Sequence, residues 1–298
     1  MPLAGVVYAL LAYGTWGVLP VYWKWLVAVP LAEVLAHRVA GTVVFSLVLL
    51  AVLRRLPEVR EALRSPRERR ALLASGSLIA VNWGVFIWAV GAGRIVETSL
   101  GYYLNPIVNV LLGTLVLRER LSRAQGLAVA LAAAGVGVML VSHGRLPWIA
   151  LVLASSFGLY GLMHKLSRVR PVPALAIETG ALAPLALGFL ALGADPPGGA
   201  LVTGPLLART LLLAAGPITA LPLLWFGSAA RRLPLSTLGL FQYLAPTLAL
   251  LLAVFLYGEP FTRAHALAFL LIWSALALYT WEALQSSRGV LARSSTTQ

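Results

Sequence analysis

The chain of 298 residues contains no cysteine, one aspartate among only ten acidic residues, and charged side chains at 11% of positions. Without cysteine there is no disulfide, no thiolate nucleophile and no Cys-based metal site. The four histidines, at 37, 143, 164 and 265, form no close-spaced ligand motif, so neither a metal centre nor a cofactor is expected. No Walker A pattern is present, which argues against a built-in ATPase. The single aspartate, Asp195, sits beside Pro196-Pro197-Gly198-Gly199, and no nucleophile with a base or pair of acids stands out, so an intramembrane enzyme finds no support. The scarcity of charge itself separates this chain from soluble domains, which are roughly a quarter charged.

What fills the sequence instead is apolar: 60% of residues are hydrophobic and the mean hydropathy is +0.88. A helix needs about 20 predominantly apolar residues to cross roughly 30 Å of hydrocarbon. Apolar runs between charges and Gly/Pro breaks predict ten helices, near 3–23, 31–53, 71–91, 96–117, 124–142, 147–166, 173–192, 210–230, 235–256 and 264–284. Connections are short except for the arginine-rich stretch 54–70 and the Pro/Gly-rich stretch 193–208. The first cation is Lys24, which reads as a retained first helix rather than a cleaved signal peptide.

The net charge of +13 arises from arginines placed between apolar runs, not along one face, so it signals topology and not nucleic-acid binding. With the N-terminus inside, 17 of the 23 Lys and Arg fall on the cytoplasmic side, five on the other, and Arg38 lies within the second helix. Both termini are therefore expected to be cytoplasmic in a multi-pass protein of the cell's inner membrane. The seven arginines of 54–70 are expected to touch anionic lipid headgroups.

A repeat runs through the chain at an offset of about 140 residues. Tyr103-Leu104-Asn105-Pro106 matches Tyr243-Leu244-Ala245-Pro246, and the register then places Glu119 on Glu259, Ser122 on Thr262 and Arg123 on Arg263. Trp16-Gly17 falls on Phe157-Gly158, and Lys24 on Lys165. Five helices per repeat is an odd number, so the second half must enter the membrane inverted. The expected fold class is thus all-α integral membrane, ten transmembrane helices as two inverted five-helix repeats, over 1–143 and 144–285, with a cytoplasmic tail at 286–298. Inverted repeats recur in secondary transporters, whose sites lie where the halves meet.

The same blocks resemble a known family. Ala12-Tyr13-Gly14-Thr15-Trp16-Gly17, Tyr22-Trp23-Lys24, Glu33-Val34-Leu35-Ala36-His37-Arg38, Asn82-Trp83, Ser99 through Pro106 to Gly113, and Pro234 through Thr247 are similar to the RarD branch of the EamA-type transporters, in the drug/metabolite transporter superfamily. The resemblance implies ten helices, an inverted repeat and export or exchange of metabolites or amino acids; the family name records an association with chloramphenicol sensitivity. Arg118-Glu119 departs from the Gly-Glu usual at this place, which Gly258-Glu259 keeps in the second half.

Polar side chains inside hydrocarbon cost several kcal/mol by most scales, so each needs a partner or a purpose. Arg38 lies about 10 Å into its helix, and a guanidinium there suits a carboxylate or phosphate; pairing with Glu33 or a helix carbonyl is the structural alternative. His37, about 100° around the helix, and Glu178, the deepest clear acid, are candidates for proton coupling. The alternatives for them are helix packing and an arginine partner. Asn82, Trp83, Tyr102, Tyr103, Asn105, Asn109, Gln242 and Tyr243 form a polar and aromatic set expected to line a substrate cavity, or else to bond helix to helix. Glu119 and Glu259, at helix ends, are expected to be structural. The leading expectation is a carrier of a small-molecule substrate in the lipid bilayer, with a non-transporting scaffold or sensor as the alternative; the oligomeric state is not legible.

Overall fold

The computed structural model describes residues 3–92, 94–143, 148–194, 196–258 and 263–295. Asp195, Glu259 and the side chains of His143 and His265 lie outside that description. The described residues are helical throughout: α1 (Leu3–Lys24), α2 (Leu31–Val52), α3 (Leu56–Arg64), α4 (Pro66–Gly91), α5 (Ile95–Leu111), α6 (Arg123–His143), α7 (Trp148–Leu166), α8 (Pro171–Gly188), α9 (Ala200–Thr203), α10 (Leu206–Ala230), α11 (Leu235–Gln242), α12 (Leu244–Leu251) and α13 (Arg263–Ser295). Among the described residues eight helices are long and apolar enough to cross a membrane, and Leu100–Val116 and Ala266–Tyr279 are shorter apolar helices. The chain is a multi-pass membrane protein.

The structure departs from the expected boundaries in four places. The arginine-rich stretch is not a plain loop: Leu56–Arg64 forms α3, which packs Val59 and Ala62 against Leu72, Ala174 and Ile177 of α4 and α8. Ser65 then caps α4 by accepting from the Glu68 N–H at 3.4 Å, with Pro66 in the first turn, so α4 starts five residues before the apolar run. The ninth expected helix is broken at Tyr243 into α11 and α12, three residues before Pro246, which lacks the N–H that would bond Gln242. Finally α13 continues to Ser295, beyond the expected end near 284.

The ends of α5 and α12 share an unusual feature. Each widens into a π turn, over Leu112–Val116 and Leu252–Leu256, with Leu117 N–H bonding Leu112 O and Tyr257 N–H bonding Leu252 O, both at 3.2 Å; α8 ends in a third, over Phe189–Gly193, which is followed by extended backbone at Ala194. Those of α5 and α12 are each followed by a residue in left-handed backbone, Arg118 at φ 56° and Gly258 at φ 68°. Both features recur 140 residues apart. A side chain at positive φ is strained by about 1–2 kcal/mol, so Arg118→Gly is expected to raise stability by about 1 kcal/mol. Thermal unfolding of the detergent-purified variant checks this, and a lowered midpoint would refute it.

Several helix contacts recur between the first and second parts of the chain. α4 packs on α7 as α10 packs on α1, α5 on α7 as α11 and α12 on α1, and α4 on α8 as α10 on α2; α2 pairs with α8 and α6 with α13. The rings of Trp16 and Phe157, matched by the repeat, touch at 5.5 Å. With Tyr13, Tyr160 and Phe226 they form an aromatic core. Small residues let α6 pack closely: Ala128 and Ala132 lie against α13, and Gly135 would bring a Cβ within 2.9 Å of the Ala268 carbonyl.

Candidate functional site

The backbone of α2 begins after Pro30, which places Arg38 two turns into the membrane-spanning segment. Three residues on, α2 crosses α10 at almost bare backbone: a Cβ on Gly216 would sit 2.3 Å from the Gly41 carbonyl carbon. Thr42 Oγ1 donates to the Gly216 carbonyl at 3.3 Å on the same crossing. That crossing fixes Thr219, one turn along α10, opposite Arg38, and Arg38 Nε donates to Thr219 Oγ1 at 3.1 Å.

The guanidinium is walled by two indoles. Its central carbon lies 4.6 Å from the Trp23 ring centroid and 5.2 Å from that of Trp83, within cation–π range. The phenols of Tyr22 and Tyr102 lie within electrostatic reach. Among the described residues no carboxylate comes within 4.0 Å of Arg38. Glu33, the sequence-level candidate partner, is engaged elsewhere: its Oε1 accepts from the Ala200 N–H at 2.6 Å and lies 3.8 Å from His37 Nε2. Arg38 is thus a half-buried cation whose Nε is satisfied and whose guanidinium lies between two indole rings. A guanidinium fork matches a carboxylate bidentately.

Beside it, Thr15, Val18, Tyr22, Trp25, Ile218, Trp225 and their neighbours line an apolar groove of about 510 Å³ between α1, α10 and α12. Tyr22 belongs to both places, anchored by its hydroxyl to the Leu211 carbonyl and with its ring edge-on to Trp23.

The residues expected to line one cavity divide into three places. Arg38 and Trp83 come together, with Tyr102 near them; Tyr102 is 48% exposed and its neighbour Tyr103 only 6%, because adjacent helical residues point apart and Tyr103 packs on Phe269. Asn82 turns toward α7, donating to the Leu153 carbonyl at 2.9 Å and to Ser156 Oγ at 3.0 Å. Asn109 and Gln242 bond each other at 2.8 Å across the α5–α11 crossing, where Gly239 would press a Cβ on the Pro106 carbonyl at 2.7 Å. Asn105 and Tyr243 are buried near the same crossing, and Asn105 Oδ1 and the Tyr243 hydroxyl have no hydrogen-bond partner among the described residues.

Of the two proton-coupling candidates, His37 lies beside Glu33 and the Gly198 backbone, while Glu178 is buried at the meeting of α4, α7 and α8. Its partner is not an arginine. Ser75 Oγ donates to Oε1 at 2.7 Å, the Tyr160 hydroxyl donates to Oε2 at 3.2 Å, and His164 Nε2 lies 3.1 Å from Oε1. The histidine nitrogen is at ion-pair distance but off the line of a hydrogen bond. Trp23, Thr219 and His164 were not picked out from sequence. Trp23 stood in the Tyr22-Trp23-Lys24 block beside a lysine, and only the helix packing brings the other two to their partners.

Comparison with known proteins agrees with this architecture. Residues 3–141 match the EamA-like transporter family. An uncharacterized transporter of Pseudomonas aeruginosa is 45% identical over 284 residues, covering 95% of each chain. The protein RarD of Escherichia coli K12 is 44% identical over 284 residues, covering 95% of this chain and 96% of its own. A protein crystal structure that is 21% identical superposes with a TM-score of 0.71 over 95% of this chain and 99% of its own, and so shares the fold.

Proposed function

Since the chain belongs to the RarD branch of the EamA-like transporters in the drug/metabolite transporter superfamily, we propose that it is a secondary carrier that exports or exchanges small amino-acid-like or amphipathic organic acids by alternating access. The carrying observation is the Arg38 seat, a guanidinium between Trp23 and Trp83 with no carboxylate partner among the described residues. A charge held in that state inside hydrocarbon is costly unless an incoming anion completes it. The substrate carboxylate takes the free fork, the indoles exclude water, and an apolar body extends past Tyr22 toward the groove of α1 and α10.

In this reading ten crossings form two inverted five-helix halves, residues 1–143 and 144–285, followed by the tail 286–298. The twin π turns and the exchangeable packing pairs support it. Both termini are cytoplasmic in the inner membrane, which leaves the arginines of α3 and its flanks on the cytoplasmic surface beside anionic headgroups. The halves then rock about the aromatic core to expose the seat alternately.

The test is counterflow of labelled amino acids, organic acids and chloramphenicol into liposomes holding the purified protein, with empty liposomes as control. Protein-dependent accumulation of a carboxylate-bearing solute is expected, and Arg38→Ala should reduce it about tenfold or more, as expected when a charge-assisted pair worth about 1.5–3 kcal/mol is lost. Arg38→Lys should restore little, because an ammonium lacks the fork. Carboxylate flux unchanged in Arg38→Ala would remove Arg38 from the site.

A further inference from the structure

The Glu178 cluster has no part in holding the substrate, yet it places two ionisable groups in contact where hydrocarbon surrounds the protein. Glu178 is 1% exposed and His164 3%. The groups that face them leave their charge balance to the pair itself. From α4 comes Ser75, and from α7 the Tyr160 phenol. From α10 come only the Phe226 ring, at 6.5 Å from the imidazole, and Gly227, whose added Cβ would meet His164 Nδ1 at 3.0 Å. Further charges on the neighbouring elements are engaged: Lys165 donates to the Leu233 carbonyl, Glu68 accepts from Ser167, Glu58 pairs with Arg170 and Arg55, and Arg231 donates to the carbonyls of Arg168 and Val169. Arg38, on α2, stands in the Trp23–Trp83 seat.

A buried site is least costly when it carries no net charge. Glu178 and His164 together reach neutrality only by holding one proton beyond the carboxylate with neutral imidazole, either as imidazolium beside carboxylate or as carboxylic acid beside imidazole. Hydration removes that constraint.

A narrow slit with no room for a water molecule leads away from the pair, lined by Ala71, Leu72, Met163 and Ser167. At its end Ser167 Oγ donates to Glu68 Oε2 at 3.3 Å in the first turn of α4, beside α3. Parting of that single weak contact would widen the slit at this end.

The repeat gives the cluster a counterpart. At an offset of 141 residues Trp23 falls on His164, Pro30 on Pro171 and His37 on Glu178. The place that in the first half joins the end of α1 to the start of α2, and holds the substrate seat, in the second half joins the end of α7 to the start of α8 and holds an acid with a base.

We propose that Glu178 and His164 form the proton-binding site of the carrier, holding one shared proton while the slit beside Ala71 is closed and releasing it to water when the slit opens, so that one proton accompanies each cycle. On opening, the proton leaves the pair for water and the carboxylate stands beside neutral imidazole; on closing, one proton is taken up again. The coupling to solute rests on the carrier reading above, whereas the proton site and its slit do not.

The test uses the absence of cysteine. Ala71→Cys gives one thiol lining the slit, and its rate of reaction with a water-soluble maleimide is divided by that of Arg60→Cys, on the exposed side of α3, to remove the thiol's own pH dependence. Without any solute, the ratio is expected to rise about fivefold from acidic to alkaline buffer as the slit opens. Glu178→Gln keeps the side-chain shape and fixes the neutral form, so its ratio should stay low and flat. His164→Gln should also abolish the rise, and decides the matter if Glu178→Gln does not purify as a single species. Ser75→Ala removes the 2.7 Å bond but no titrating group and should keep the rise. A flat ratio in the otherwise unaltered chain, or a rise that persists in the glutamine variants, overturns the proton site. Silent counterflow with a normal pH response would instead overturn only the carrier reading.

Discussion

Glu119→Ala is expected to lower the stability of the purified protein by about 3 kcal/mol, the loss of a charged helix cap together with backbone donors left buried. The α11 helix starts at Leu235 after Pro234, whose side chain cannot cap it. Its first amides are served from another helix end: Glu119 Oε1 accepts from Leu235 N–H at 2.7 Å, and Oε2 accepts from Ser236 N–H at 2.9 Å and Ser236 Oγ at 2.7 Å. The negative charge also lies at the positive end of the helix dipole. Gly113 makes room for it, since a Cβ there would come within 2.6 Å of Oε2. Glu119→Gln keeps one acceptor and should lose about half as much, about 1.5 kcal/mol. Thermal and denaturant unfolding in detergent measure both. Equal stability of Glu119→Ala and the parent would show that water replaces the carboxylate at this helix start.

The second large effect is expected at the α2–α10 crossing. A methyl group on Gly216 would lie 2.3 Å from the Gly41 carbonyl carbon and 2.5 Å from its oxygen, and backbone cannot rotate aside as a side chain can. The helices must separate, which breaks the Thr42 bond and moves Thr219 away from Arg38. Gly216→Ala should therefore cost about 3 kcal/mol or more and weaken transport beyond its effect on stability. Gly14→Ala is the control, because nothing lies within 4 Å of an added Cβ there. In a helix interior that change should be neutral or stabilising by up to about 1 kcal/mol. The contrast is read from thermal unfolding of the two variants side by side, and similar midpoints would deny the close approach.

These two residues illustrate what a single sequence does and does not reveal. The spans were legible because apolar runs end in arginine or proline, and most observed helices begin within a few residues of the expected places. α3 was hidden because arginines dominate its composition, although Leu56, Val59 and Ala62 recur at helical spacing and two of them do pack on α4 and α8. The π turns leave no compositional mark. Arg38 was legible because an isolated cation in an apolar run must be explained. Thr219 and His164 were not, since nothing local says which helix each will face, and an unpaired histidine in a helix reads the same whether or not a glutamate waits across the gap. Asn82, Asn109 and Gln242 were expected to line a substrate cavity or else to bond helix to helix, and in the structure each bonds a neighbouring helix.

The matched π turns bear on ancestry. A π turn arises when one residue is inserted into a helix that keeps its ends in place, and the widened turns occupy Leu112–Val116 in one half and Leu252–Leu256 in the other. Two independent insertions at the same register, each followed by left-handed backbone at the same position, require a coincidence that one insertion does not. If the halves descend from a common five-helix gene, as the proposed repeat implies, the insertion came first and the doubling second. The widened turn is then older than the joining of the two halves in one chain.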